Sequence, residues 1–265
     1  MRAVTASREH LLGAARLALG TVLVIRTTAL SNLLPIPLAH VNGPLYGWPT
    51  DTWPMAWADC VVPDGVERAA AIVRTVAAGC FLVGVRARLA GTIAGALGLL
   101  AMSQDPLGFI FTLYTLFLGT IVLANTDATS MLALRPDPPL DARSSLALVR
   151  IVVASIYVWA AIAKMHAEWL DGRVLLFLAE DRLLLSRPAR LLVEHPWLRI
   201  GVAWSAVSAE LGIGLGLLFG RTRLWAVGAA LVMHGVFEVA ARPDVMGLVM
   251  ASLLVACAAT PRVAR

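Results

Sequence analysis

Eight stretches of this chain run for 14 to 20 residues with almost no charge: Leu11–Leu30, Ala69–Val85, Leu89–Met102, Leu107–Ala124, Leu146–Met165, Ile200–Phe219, Leu224–Val239 and Val245–Ala259. Helix rises about 1.5 Å per residue, so about 20 residues cross the ~30 Å oily core of a bilayer. In 265 residues such runs leave no room for a sizeable soluble domain. Only 15% of the residues are charged and the mean hydropathy is +0.78, whereas a soluble domain covers its surface with about a quarter charged residues. An ordinary soluble enzyme and a disordered chain are both excluded. The sequence reads as an all-α, polytopic integral membrane bundle of about eight transmembrane helices, forming a single domain over residues 1–265. The third and eighth runs are short for a crossing, and Gly91, Gly95 and Gly98 in the third predict close helix packing inside the bundle.

Charge then suggests an orientation. The chain has 21 arginines and one lysine, Lys164, for a net charge of +5. With the N-terminus cytoplasmic, the inner segments hold ten arginines (Arg2, Arg8, Arg86, Arg88, Arg135, Arg143, Arg221, Arg223, Arg262 and Arg265), and the short outer ones hold Arg68 and Arg242. This asymmetry is the positive-inside pattern; it predicts both termini in the cytoplasm and gives the basic balance no bearing on nucleic acid. The competing reading of residues 1–30 is a signal peptide, opposed by Arg16 and Arg26 inside the apolar run. Cys60, Cys80 and Cys257 stand far apart with no CxxC pair, which argues against a redox centre or a metal cluster.

Two outer connections are long. Ser31–Glu67 is rich in Pro and Trp, with Trp48, Trp53 and Trp57 suited to the headgroup layer. His166–Arg199 carries five arginines balanced by Glu168, Asp171, Glu180, Asp181 and Glu194. Charges at Arg173, Glu180, Arg187 and Glu194 recur every seventh residue, with Leu176, Leu184 and Leu191 on the other side. That pattern predicts amphipathic helices along the membrane surface, broken in two by Pro188. The connection Asn125–Ser145, with Pro136, Pro138 and Pro139, is placed to divide four helices from four.

Ionisable residues inside apolar spans mark sites of function. Arg150, Tyr157 and Lys164 are spaced by seven, so they lie along one stripe of the fifth span. Burial disfavours a charged lysine, so Lys164 is a candidate general base; alternatively it snorkels to the interface and pairs with Glu168 one turn on. Glu210, His234 and Glu238 lie in the sixth and seventh spans, with His234 and Glu238 on one face. Their structural role would be to satisfy Lys164, Arg150 or Arg74. In the functional one Lys164, Glu210 and His234 converge on a cavity open to the outer leaflet. No supporting ligand spacing makes a metal site of His234 and Glu238, and no phosphate loop or nucleophile elbow is present.

Tyr157, Ala160, Ala161, Lys164, Glu168, Trp169 and Gly172 form a run at the end of the fifth span. Gly84-Val-Arg86-Ala-Arg88 and Asn125–Leu134 follow the second and fourth spans. In order and spacing these segments resemble the vitamin K-dependent gamma-carboxylase family and its bacterial relatives, the horizontally transferred transmembrane (HTTM) proteins. In the animal carboxylases the lysine matching Lys164 deprotonates reduced vitamin K, so the resemblance implies a base acting on a lipophilic, quinol-like substrate. It also implies a reduced quinone as cofactor, and Tyr157, Trp169, Glu210, His234 and Glu238 as a supporting polar cluster. Where the carboxylases have an Asn-His pair the chain has Gly108 and Phe109, and no segment corresponds to their soluble domain. The resemblance therefore implies the membrane core rather than carboxylation of protein glutamate. The rival is a non-enzymatic membrane protein, DoxX-like or transporter-like, with a buried proton-handling cluster.

Overall fold

The computed structural model describes residues 2–30, 64–104, 111–180, 184, 186–240 and 245–259. Within them the regular structure is eleven α-helices and a short 3-10 turn, with no strand. The helices are α1 (Arg2–Leu30), α2 (Asp64–Val83), α3 (Ala87–Gln104), α4 (Phe111–Ala124), α5 (Ala142–Ala163), α6 (Ala167–Leu170), α7 (Arg173–Glu180), α8 (Arg187–Glu194), α9 (Pro196–Leu218), α10 (Arg223–Ala240) and α11 (Met246–Ala258). Each of the eight apolar stretches coincides with a helix. The Trp-rich segment 31–63, Cys60, Gly108, Phe109, Asp181, Arg242, Arg262 and Arg265 lie outside the described residues.

Four segments are long and apolar enough to cross a membrane: His10–Thr28, Arg143–Ala163, Pro196–Leu218 and Arg223–Ala240. Ala87–Met102, Phe111–Ala124 and Met246–Ala258 are apolar but shorter. α2 has 20 residues but carries Glu67, Arg68 and Arg74. Four of the eight expected spans thus satisfy both length and composition among the described residues. In α10 the apolar side chains largely face outward: only 17% of its window is buried, and Val232, Val236 and Val239 are exposed along it. Such a surface belongs in a membrane rather than in water.

The chain divides into two compact units, Met1–Leu146 with Ala259–Arg265, and Ala147–Ala258. The boundary follows directly on the connection Asn125–Ser145. In the first unit α3 lies close against α2 and α4 through its glycines: a Cβ on Gly91 would strike Phe81 and Ala124, and one on Gly95 would come 2.7 Å from the Phe117 carbonyl.

This unit is organised around Arg16, a fully buried side chain in α1. Nε donates to the Ala128 carbonyl (3.0 Å), Nη1 to those of Phe81 and Leu82 (both 2.6 Å), and Nη2 to those of Met131 (3.2 Å) and Leu132 (2.7 Å). A guanidinium has five N–H donors, and all five are used on backbone oxygen. Phe81 and Leu82 end α2, whose last carbonyls have no partner within the helix. The other three belong to the segment after α4, so Arg16 ties it to the end of α2.

The two segments also bind each other. Leu134 N–H donates to the Val83 carbonyl (3.1 Å) and Arg135 N–H to that of Gly84 (3.0 Å). Asp137 accepts the Arg88 N–H (2.8 Å), capping the start of α3 from 49 residues away. Gly84 sits at φ +78, where a Cβ would collide with Ala133. Leu132 is held at φ 50, which a bulky residue rarely adopts, and its carbonyl meets Arg16. At the start of α5, Asp141 accepts hydrogen bonds from the Ser144 side chain and backbone (2.5 and 3.0 Å). These bonds hold its carboxyl below the usual value. The cap is at full strength above the ordinary carboxylate value and is lost as pH falls through the lowered one.

In the second unit, α7, α8 and α9 enclose Leu175, Leu184, Val193 and Ala203. One expectation changes here: Leu191 is exposed, at 46%, and Val193 fills the inner position instead. The two expected pieces are α7 and α8, and Pro188 stands in the first turn of the second, behind the Ser186 cap, where its missing N–H costs nothing.

Replacing Arg16 by lysine leaves three donors at one point for five carbonyls. With about 1–3 kcal/mol per buried unsatisfied group, Arg16→Lys is expected to lower stability by at least about 2 kcal/mol, and Arg16→Ala by more. Thermal unfolding in detergent measures it, and an unchanged Tm would show that the carbonyl cluster does not hold the first unit together.

Candidate functional site

The stripe read from seven-residue spacing is a polar seam of the second unit. Arg150 Nε donates to the Cys257 carbonyl at the end of α11 (3.3 Å). Two turns on, Tyr157 Oη lies 2.8 Å from His234 Nε2 of α10. A further two turns on, Lys164 Nζ lies 2.8 Å from both Oε1 and Oε2 of Glu210 in α9. One face of α5 therefore meets three helices through three polar contacts.

Glu210 reaches Lys164 because of how α9 is patterned. Its buried positions Ala203, Val207, Glu210, Gly214 and Leu217 alternate four and three residues apart, the spacing of a single helix face. Gly214 lets α5 come close, since a Cβ there would fall 2.8 Å from Val158 Cγ2 and 3.0 Å from the Ala154 carbonyl. Glu210 is the one carboxylate on that face, with 8% of its side chain exposed against 23% for Lys164. Lys164 also donates to the Ala160 carbonyl (3.3 Å), and the Trp169 ring lies 5.2 Å from Nζ, within cation–π range.

The pairing differs from the interface reading. Glu168 does not meet Lys164; it accepts from His166 Nδ1 at 3.0 Å, and that bond holds its carboxylate below the usual value. Because α5 stops at Ala163, Glu168 is no longer one turn along the same helix. The turn that follows accounts for the rest of the lysine run. Trp169 Nε1 donates to the Ala203 carbonyl (3.3 Å), fixing the ring beside Nζ. Gly172 takes φ +80, and a Cβ there would collide with Arg199.

Tyr157 and His234 are both buried, and Phe237 packs edge-on against the imidazole. Among the described residues no hydrogen bond links His234 to Lys164 or Glu210, and the polar residues form two hydrogen-bonded pairs along one seam. Glu238 shares the His234 face but turns away from both pairs, and its Oε1 accepts the Gly247 N–H at the start of α11 (3.0 Å). It is a helix cap, and a Cβ on Gly247 would strike it. Among the described residues no three His, Cys, Asp or Glu side chains are grouped to hold a metal.

The family model of the HTTM domain matches residues 7–255. The chain belongs to the HTTM family. No curated protein and no solved structure matches it. The single HTTM match runs through both compact units. The segments that carried the resemblance now have physical roles: Gly84–Arg88 and Asn125–Leu134 meet around Arg16, and the lysine run builds the surroundings of Nζ. Arg16 itself was missed as a centre, although an arginine inside an apolar run was its signal. The Gly214 approach was missed because no local pattern marks it.

Lys164 is the only lysine, so an amine reagent reports on it alone apart from the N-terminus. Glu210→Gln removes the charge that holds the ammonium, and acylation of Lys164 at neutral pH is expected to rise by about tenfold, equivalent to about 1.4 kcal/mol. Peptide mass spectrometry of the labelled protein measures this, and equal labelling in both proteins would show that Glu210 does not control the amine.

Proposed function

We propose that this HTTM protein is a membrane enzyme in which Lys164 and Glu210 together take a proton from a small lipophilic substrate of the quinol class. The observation that supports it is the ion pair itself, an ammonium against both oxygens of one largely buried carboxylate. In this reading the protein lies in the cell membrane with both termini cytoplasmic, as the ten inner arginines suggest, and the pair faces the outer leaflet.

The pair solves a problem of charge. Removing a proton in an apolar site creates an anion, which is costly if unanswered. Here the substrate O–H proton passes to the lysine side and one proton passes from Lys164 to Glu210. The O–H bond breaks, a carboxyl O–H forms, and Lys164 remains an ammonium beside the new oxyanion. Negative charge has moved from Glu210 to the substrate, and the net charge of the site stays zero. Trp169 shields the ammonium from one side. Arginine cannot pass a proton in this way.

A second reading is favoured by the saturation of Nζ, which bonds Glu210 twice and Ala160 once. There the pair is a fixed clasp between α5 and α9 in a non-enzymatic, DoxX-like or transporter-like protein. Lys164→Arg separates the two, because arginine keeps a two-point bond to carboxylate. With a reduced naphthoquinone and protein in lipid nanodiscs, oxygen uptake follows quinolate formation. Wild type is expected to exceed folded Lys164→Arg by about 10²- to 10⁴-fold, the usual worth of a positioned base. Equal uptake would remove the base role and leave the clasp.

A further inference from the structure

Between the end of α5 at Ala163 and the left-handed Gly172 the chain makes only one short turn of helix, α6 (Ala167–Leu170). None of its four residues is buried. Among the described residues the hydrogen bonds of residues 166–172 stay within the turn and the start of α7, such as His166 to Glu168 (3.0 Å) and Arg173 to Asp171 (2.7 Å). One leaves it: Trp169 Nε1 donates to the Ala203 carbonyl of α9 at 3.3 Å, long for an N–H···O bond. Trp169 is also the α6 residue packed against Leu175, Leu184, Val193 and Ala203. A single side chain therefore fastens α6 to the rest of the unit.

The same side chain closes the ion pair. Nζ of Lys164 spends its three donors on the two Glu210 oxygens and the Ala160 carbonyl, and it lies over the Trp169 ring, 5.2 Å from the centroid. A substrate oxygen between them needs about 2.8 Å to Nζ and about 3.5 Å to the ring. The gap is short of that by about 1 Å. Lys164 is the more exposed partner of the pair, at 23% of its side chain against 8% for Glu210, so the pair is approached from the lysine side, where the ring lies.

We propose that α6 is a strap across the ion pair and Trp169 its latch: a lipophilic substrate reaches Nζ after the indole has left the Ala203 carbonyl and swung off the ammonium. This rests on the reading of the pair as the place where a proton is taken. The saturated Nζ then belongs to the closed strap, and opening clears one side of the ammonium while Glu210 stays in place. Trp169 is a positioning residue, since it acts on the reaction through Lys164. A ring that only filled the space beside α7, α8 and α9 would stay where it is.

Lys164 is the only lysine, so its acylation by a small amine reagent, with the protein in lipid nanodiscs, reads how often the strap is open. Benzothienylalanine has the size and shape of tryptophan with sulfur in place of N–H, so Trp169→benzothienylalanine removes the Ala203 bond and keeps the ring. Acylation of Lys164 is expected to rise about fivefold over wild type, the worth of one hydrogen bond of about 1 kcal/mol, with Tm unchanged. Trp169→Ala should raise it further. Equal acylation of wild type and the benzothienylalanine protein would overturn the proposal and leave Trp169 as fixed packing. So would a rise that appears only together with a fall in Tm, which would mean that the whole unit has loosened. No quinol enters this experiment, so its failure is separate from failure of the oxygen-uptake test.

Discussion

In an apolar surround every charge on the chain has to be answered by the chain, because no water stands ready to do it. The two units answer in chemically different ways. Arg16 meets five backbone carbonyls, none of which can take up a proton, so its environment is fixed. Lys164 meets a carboxylate, which can. Of these two buried cations only the one in the second unit has a partner able to hold a proton, although the first unit holds the more deeply buried one.

The second unit places its polar groups by helix period rather than by loops. Residues seven apart on α5 drift by only about 20° per step, so Arg150, Tyr157 and Lys164 remain on one face while rising two turns at a time. Each level is answered by a different helix, which fixes the rotation of α5 against α9, α10 and α11 together. Gly214 sets the distance at which this works, by allowing the α5 backbone against α9 one turn from Glu210.

What the sequence made legible was local. Each apolar run became a helix, because hydropathy over some 20 residues reports directly on a spanning element, and the Arg150–Tyr157–Lys164 stripe needed only the helical repeat. Partners distant in sequence were not legible. Glu168 was the nearest acid to Lys164, but the chain turns after Ala163 and the partner lies 46 residues on. The capping role of Glu238 depends on where α11 begins, and the inner side of α8 shifted from Leu191 to Val193 because Pro188 starts that helix. Hydropathy alone does not separate a short buried helix such as α11 from a full span, and four of the eight runs meet both length and composition among the described residues.

The Arg16 cluster has a consequence for synthesis in the cell. α1 is made before the segments it binds, and the carbonyls that accept its guanidinium lie as much as 116 residues later in the chain. Until Leu132 has been made, this helix carries an uncompensated charge that is costly in lipid. Insertion of the first unit as a group of helices, after the end of α4 has been made, would avoid that cost.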